Sequence, residues 1–336
     1  MYKYLCMLQS AKSHLVISRN MLNNLAAVTC LLFASHVTAT PARFGENTNN
    51  RPVIGILTQI VTDDVMKPYG KTYIPSGYVK YIESGGSRVM PVRVTYDAEY
   101  YEDIFKKING LILIGGAADL MTSDFARVAK IFFNLALKAN DAGDHFPIWG
   151  TCMGMQELSV LVAGKNLLTK TTAENEALPL NLTAEAFISR MFHDFPPALM
   201  KAIAQEPLTG NFHHYGLTVN TFLGNEDLNN FFTILSTNIA DNGAHFVSTI
   251  EAKKYPIYGV QWHPEVNRFS WNSKDNFPHS YHAVQVSSLL AEFFVNEGRR
   301  SLHQFEDPDE EAAALIYNYT PVYTANFTGY EQVYFF

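Results

Sequence analysis

Apolar residues recur along residues 51–163 in two alternating rhythms. Short runs that are apolar at nearly every position, bounded by glycine or proline, read as strands buried on both faces. Longer runs with apolar residues every three or four positions read as helices covering those strands. Val53-Ile-Gly-Ile-Leu57 is the first strand, and the helical run Tyr78–Ser84 closes on Gly85-Gly86, a helix stop. Arg88–Val94 is the second strand. Asp97 is placed to cap a helix running to about Ile108, and Gly110–Ile114 is a third strand ending in Gly115-Gly116. Ser123–Ala142 carries Phe125, Val128, Ile131, Phe132, Leu135 and Leu137 at helical spacing. Strand Pro147–Gly150 then enters the turn Gly150-Thr-Cys152-Met-Gly154, which continues as an apolar helix through Val160–Ala163. This alternation predicts an α/β fold with a mostly parallel central sheet and helices on both faces.

Beyond Ala163 the rhythm loosens. Leu167–Thr172 reads as a strand, followed by an irregular stretch to about Leu208 that contains Pro179, Pro196, Pro197 and Pro207. Strand-like runs return at Leu217–Val219, Phe232–Thr237, His245–Glu251 and Ile257–Trp262, and Ala283–Glu297 is an amphipathic helix. There is no internal repeat and no low-complexity linker. The pattern gives one α/β domain over residues 51–303, preceded by a linker at 40–50. Residues 304–336, acidic and then rich in tyrosine and phenylalanine, form a C-terminal extension packed on or belonging to the same domain.

Residues 1–39 follow a different pattern. They carry Lys3, Lys12 and Arg19 with no acid, then an apolar run from Leu25 to Phe33, then small residues up to Ala39. This is the pattern of a secretory signal cut near Ala39, with Met1 or Met21 as its start. About nine core apolar residues are too few to span a bilayer, so no stable membrane insertion is expected after cleavage. Removing this segment moves the net charge from −7 to −10, because it carries three basic residues and no acid. That charge argues against nucleic acid or an anionic membrane as partner. Cys6 and Cys30 leave with the segment, so Cys152 remains as a lone thiol with no disulfide framework. Asn181, Asn318 and Asn326 head Asn-x-Thr glycosylation triplets.

In a parallel sheet the chemistry sits beyond the carboxyl ends of the strands. Gly115, Gly116 and Cys152 all fall there. A Gly-x-Cys-x-Gly turn puts the sulfur on a tight bend at a helix N-terminus, where unpaired N–H groups favour thiolate. A thiol nucleophile also needs a base and a group to orient that base. His263-Pro-Glu265 follows an apolar strand, so His263 can face Cys152 and Glu265 can return to the imidazole. Gly115, Gly116 and Met153 are candidate N–H donors for an oxyanion. There is no metal-ligand spacing and no phosphate-loop glycine pattern, so neither a metal nor a cofactor is expected.

Gly-Thr-Cys152-Met-Gly together with Gln-Trp-His263-Pro-Glu265 resembles the class I glutamine amidotransferases, whose triad is Cys-His-Glu in this order. Further stretches narrow the likeness: Arg51-Pro-Val-Ile-Gly-Ile-Leu57, Tyr78-Val-Lys-Tyr-Ile-Glu83, Phe146-Pro-Ile-Trp-Gly-Thr-Cys152, Glu206-Pro-Leu-Thr209 and Asn211-Phe-His-His214. With Tyr255–Glu265 they resemble the γ-glutamyl hydrolase family, from about Arg51 through the C-terminal tail. The resemblance implies a class I glutamine amidotransferase-like, flavodoxin-like fold and a peptidase of the secretory pathway, lysosome and extracellular space. Its substrate would be folate poly-γ-glutamate, and its state a homodimer. Cys152 would be the nucleophile, His263 the general base and acid, and Glu265 the orienter. His213 matches a family position in the active-site cleft. The family pattern carries Glu where this chain has Gln156, a departure close enough to the substrate to affect affinity or preferred chain length.

A polyanionic substrate needs local cations on an acidic chain, and the candidates are Lys67, Lys71, Arg93, His213 and His214. Cleavage one glutamate at a time and internal cleavage both fit the sequence. Two other functions fit the same residues: an amidase of glutamine or small γ-glutamyl compounds, and a non-catalytic secreted binding protein. The intact Cys-His-Glu set counts against the second.

Overall fold

The computed structural model describes residues 48–336. The signal segment and most of the expected linker lie outside the described residues. The strands in chain order are β1 Val53–Leu57, β2 Gln59–Ile60, β3 Thr72–Pro75, β4 Arg88–Val92, β5 Leu111–Leu113 and β6 Ile148–Thr151. They continue with β7 Thr169–Leu178, β8 Asn181–Leu182, β9 Thr209–Gly216, β10 Phe232–Ile239, β11 His245–Ala252, β12 Ile257–Val260, β13 Val322–Tyr323 and β14 Gln332–Phe335. The α-helices are α1 Ser76–Glu83, α2 Ala98–Phe105, α3 Asp124–Asp141, α4 Met153–Ala163 and α5 Pro197–Gln205, then α6 Val219–Gly224, α7 Glu226–Phe231, α8 Val266–Phe269, α9 Tyr281–Gly298 and α10 Pro308–Ala314.

The main sheet has the order β4-β1-β5-β6-β12-β11-β10-β8. Its first five strands pair in parallel and the last three pair antiparallel. The parallel strands β1, β5, β6 and β12 are buried at every position, as runs apolar on both faces require. Two groups of helices cover the sheet: α1, α5, α8 and α9 pack together, and α2, α3, α4 and α7 pack together. The α/β architecture with a mostly parallel sheet is as the hydrophobic pattern predicts. Asp97 and Ser123 cap α2 and α3 by accepting the N–H of Tyr100 and Ala126.

The second half differs from the reading in three places. Leu217–Val219 is not a strand. Thr218 makes a single bridge to Phe246, and its hydroxyl caps α6 by accepting the Thr221 N–H. The strand lies upstream as β9, and β7 runs on to Leu178 to pair with it across two irregular steps. The proline-rich stretch holds helix α5, because Pro197 stands at the first helical position, where its missing N–H costs nothing.

The tail is built into the fold. β14 pairs with β3, the Phe336 carbonyl accepts the N–H of Lys71 and Thr72, and the Phe336 N–H returns to Thr72. Arg93 holds the tail in place. Its guanidinium donates to the Tyr319 hydroxyl and lies 5.6 and 5.7 Å from the ring centres of Tyr319 and Phe336.

Two features around α4 set its cost and its tolerance. A β-carbon at Gly154 would stand 2.0 Å from the Leu113 carbonyl oxygen, so glycine alone lets the helix start against β5. Gly154→Ala should therefore lower stability by about 3 kcal/mol or more, as overpacking against rigid backbone does. A thermal midpoint within a degree of the parent would refute this. Three residues on, Glu157 is fully buried and neither carboxylate oxygen has a protein hydrogen-bond partner. Burial, with a smaller contribution from Asp119, pushes its carboxyl up to about 8. The folded chain therefore binds this proton more tightly than the unfolded chain. Stability present below about pH 4.5 is lost as pH rises through about 8. Glu157→Gln, which mimics the protonated acid, should match the parent near pH 4.5 and exceed it by a few kcal/mol near pH 9. Parallel melting curves across that range would contradict the assignment.

Candidate active site

Parallel pairing of β6 with β12 sets Thr151 opposite Val260, so Cys152 and Gln261 leave neighbouring strands side by side. The Cys152 N–H donates to the Val260 carbonyl at 2.7 Å. Cys152 then turns through φ 52°, ψ −109°, a conformation unusual for a residue with a side chain, and α4 begins at the next residue. The thiol is buried, at 6% exposure, and the first N–H groups of α4 have no intrahelical acceptor.

His263 lies two residues beyond Gln261, with its own N–H held by the Gly210 carbonyl of β9. Its imidazole lies beside Cys152: both border one cavity and both lie close to Gly115. Its Nδ1 is 2.7 Å from Oε1 of Glu265, which is itself buried. Burial alone would push the imidazole down. The Glu265 carboxylate and the Cys152 sulfur outweigh it and hold the group up at about 10. The three side chains expected to act together are thus brought together. With Nδ1 turned to the carboxylate, the remaining ring nitrogen serves the sulfur.

Two cavities meet at Cys152. One, of about 400 Å³, is walled by Tyr73, Tyr78, Phe212, Phe269, Phe277 and Tyr330. The other, of about 870 Å³, is lined on its polar side by Gln156, Asn166, Glu174, His213, His214 and Tyr215. Gly116 and Phe212 border both.

The other expected site residues divide. Gly116 lies in the loop after β5, and its N–H has no protein acceptor; Met153 heads α4. The Gly115 N–H differs from expectation, since it already donates to the Tyr78 hydroxyl at 2.9 Å. His213 is buried on the groove wall, edge-on to Phe246 at 4.9 Å. Burial and the neighbouring His263 push it down to about 4, so it stands as a neutral ring. His214 lies in the same groove, 3.7 Å from Glu174. Arg93, Lys67 and Lys71 border neither cavity: Arg93 clamps the tail, Lys67 pairs with Asp64, and the Lys71 backbone joins Phe336. The expectation that Arg93 binds substrate is therefore corrected, because its guanidinium is committed to Tyr319 and Phe336.

Among the sequons, Asn181 donates its amide to Thr237, and Asn326 is exposed on the tail. Asn318 gives its amide nitrogen to the carbonyls of Ala312, Ala313 and Leu315, which ties up the atom a glycan would need. Among the described residues no His/Cys/Asp/Glu group is arranged to hold a metal ion. No helix there is long and apolar enough to cross a membrane.

Sequence reasoning missed Tyr78 and Tyr330. The Tyr78 hydroxyl lies 3.4 Å from His263 Nδ1, and a β-carbon at Gly115 would stand 2.8 Å from the His263 ring and 2.9 Å from that hydroxyl. Glycine at 115 is what allows this approach. Tyr78 sits in a quoted motif, but nothing in its spacing marks it as a site residue. Tyr330 reaches the cavity only because the tail folds back.

The peptidase C26 family pattern matches residues 52–265. The chain is 47% identical to the γ-glutamyl hydrolase of Homo sapiens over 312 residues, covering 93% of this chain and 98% of that protein. It is 43% identical to γ-glutamyl hydrolase B of Dictyostelium discoideum over 290 residues, covering 86% and 84%. Among solved structures it is similar to the glutaminase domain of Trypanosoma brucei CTPS with bound acivicin. That match has a TM-score of 0.47 and 14% identity, over 73% of this chain and 93% of that one. With the family pattern spanning most of the chain and near-full-length relatives at this identity, the chain belongs to the peptidase C26 family.

Proposed function

We propose that this chain hydrolyses γ-glutamyl bonds, with Cys152 as the nucleophile and folate poly-γ-glutamates as substrate. The observation that carries the mechanism is the gathering of Cys152, His263 and Glu265 in one cavity, with His263 bonded to Glu265 and Cys152 also bordering the second cavity. Its setting in a chain so similar to γ-glutamyl hydrolases supports the bond type.

The steps follow from the geometry. The thiolate adds to the γ-carbonyl carbon, and the resulting oxyanion accepts N–H donation from Gly116 and Met153. Because Gly115 is committed to Tyr78, it is left out of this role. His263 protonates the departing amine as the C–N bond breaks, leaving a thioester on Cys152. The same imidazole then takes a proton from water, whose oxygen attacks the thioester and releases the free γ-carboxylate and the thiol. Glu265 keeps the ring oriented and supports its positive charge. His213 and His214 line the groove and supply histidine contacts to the glutamate chain. The same reading carries secretion with signal cleavage near Ala39, residence in the lysosome and extracellular space, glycosylation at exposed sequons, and a homodimeric state.

Cys152→Ala should abolish hydrolysis with the fold retained, since no other group can form the acyl intermediate. Glu265→Gln should leave measurable residual activity. Near-parental turnover by the Cys152 variant would end the thiol mechanism. Linkage choice tests the substrate. A site that hydrogen-bonds the free α-carboxylate beside the γ-carbonyl rejects isomers lacking it by on the order of 10⁴. We expect folate poly-γ-glutamate to be cleaved, its α-linked isomer to be nearly inert, and free glutamine to be turned over weakly for want of remote binding energy. Comparing kcat/KM for the three decides between readings: glutamine as best substrate would favour an amidase, and equal cleavage of the α-isomer would exclude a γ-specific site.

A further inference from the structure

Beside the sulfur lie two glutamines that the mechanism above does not use. The Gln156 side-chain nitrogen is 2.7 Å from the Tyr215 carbonyl oxygen and 3.1 Å from Oε1 of Gln261. Nε2 of Gln261 is in turn 3.5 Å from the Cys152 sulfur, within reach of an N–H···S hydrogen bond. Gln261 is fully buried, and a β-carbon at Gly216 would touch its Oε1, so the amide is enclosed on that side as well.

The direction of this chain of amides follows from chemistry. A backbone carbonyl can only accept, so the Gln156 atom facing Tyr215 must be its NH₂ group. That group has two hydrogens. One goes to Tyr215 and the other to Gln261, whose facing atom must then be the acceptor Oε1. The Gln261 NH₂ is thereby left pointing at the sulfur. If Gln156 were removed, Gln261 would be free to turn its oxygen to the sulfur, which disfavours negative charge there. A carboxylate at position 156 would go further, because it has no hydrogen for Tyr215 and would draw the Gln261 NH₂ to itself.

We propose that Gln261 is a catalytic residue that stabilises the Cys152 thiolate by donating to it, and that Gln156 is the positioning residue that fixes the orientation of the Gln261 amide. This rests on Cys152 being the nucleophile. Donation to an ionised acceptor is stronger than to a neutral one, so the contact favours thiolate over thiol. The other ionisable groups around the sulfur are His263 with Glu265 behind it, Tyr78 from α1, Tyr330 from the tail and His213 acting on His263, with Asp119, Glu174, His214, Asp275 and Glu331 on the walls of the two cavities. None of them hydrogen-bonds the Gln156 or Gln261 side chain among the described residues.

The test uses the full chain and reads alkylation of Cys152 by iodoacetamide, followed on the Cys152 peptide by mass spectrometry between pH 4 and 8. Gln156→Met and Gln261→Met are near-isosteric, neutral and unable to donate. Each should slow alkylation near pH 5.5 by about tenfold, the loss expected for a hydrogen bond to a charged acceptor, with the rate recovering at higher pH. The double variant should be no slower than Gln261→Met alone, because Gln156 acts only through Gln261. Gln156→Glu, the closest in shape, should be slowed at least as much as Gln156→Met. In hydrolysis, kcat should fall with alkylation while KM stays within about twofold.

An unchanged alkylation profile in either single variant overturns the proposal, as do independent, multiplying effects in the double variant. A rise in KM with alkylation unmoved also overturns it, and makes Gln156 a substrate contact. If Cys152→Ala retains hydrolysis, the nucleophile reading itself fails. If Cys152→Ala is inert and the glutamine variants alkylate normally, only the relay fails.

Discussion

The hydrogen bond from the Cys152 N–H to the Val260 carbonyl is the last rung between β6 and β12, and the site depends on it. Because the two strands run parallel in register, the residues that follow them emerge at one edge of the sheet: Cys152 and Met153 from one, Gln261 and His263 from the other. A slip of one residue would turn every side chain of one strand to the opposite face and separate sulfur from imidazole. The register is protected by burial of both strands on both faces, so no slipped pairing keeps their apolar residues covered. The same rung holds Cys152 at positive φ, a conformation that costs about 1–3 kcal/mol and persists only where the surroundings over-determine it. Here the close seat of Gly154 on β5 does that.

Charge is arranged around this frame with one cation between two anionic or potentially anionic neighbours. Burial disfavours an imidazolium at His263, and only the combination of Glu265 behind and Cys152 in front reverses that. Losing either partner would leave a buried charge half-compensated, which is more costly than never having buried it. Tyr78 contributes by a different route. Its hydroxyl accepts the Gly115 N–H and stands beside His263 Nδ1, so it fixes the loop after β5 against the imidazole. The glycine at 115 is required by that contact, whereas the sequence alone suggested a donor to substrate.

Much of this was legible in the chain. Strands buried on both faces leave continuous apolar runs, and helices over them leave a three-to-four periodicity, so the parallel half could be read to within about three residues, the helix after Asp97 ending at Phe105 and not near Ile108. The Gly-x-Cys-x-Gly bend and the His-Pro-Glu end were visible because each compresses its chemistry into five residues or fewer. What was not legible depends on contacts distant in sequence. β2 and β3 are short and gain their place from β14, more than 250 residues away. Helix α5 was hidden by the prolines that start it, and the second half of β7 by its polar residues, four of the strand's ten positions being exposed on a strand that pairs only with β9. Arg93 reads as a free surface cation until the tail aromatic rings close over it. The direction of an amide such as Gln261 is set by its neighbours' donors and acceptors, which no linear pattern displays.

The two cavities at Cys152 differ in what they can bind, and the difference bears on how an acidic protein accepts a polyanion. The smaller carries six Phe and Tyr rings on its wall, beside the carboxylates of Glu265, Asp275 and Glu331. The larger presents amides, a hydroxyl and histidines, and among the described residues neither cavity is lined by Lys or Arg. Fixed cations would hold a glutamate chain at any pH and would slow release of the cleaved anion. Histidines as a class gain charge as pH falls and give it up as pH rises. Buried His213, pushed down to about 4, is the exception: it stays neutral through mild acid and offers shape and a single donor. Asp119 and Glu174 stand on the same groove wall, where their charge would oppose a carboxylate. The two cavities therefore divide by chemistry, with aromatic rings walling the smaller and amides and histidines lining the larger, and Cys152 is the residue on which both converge.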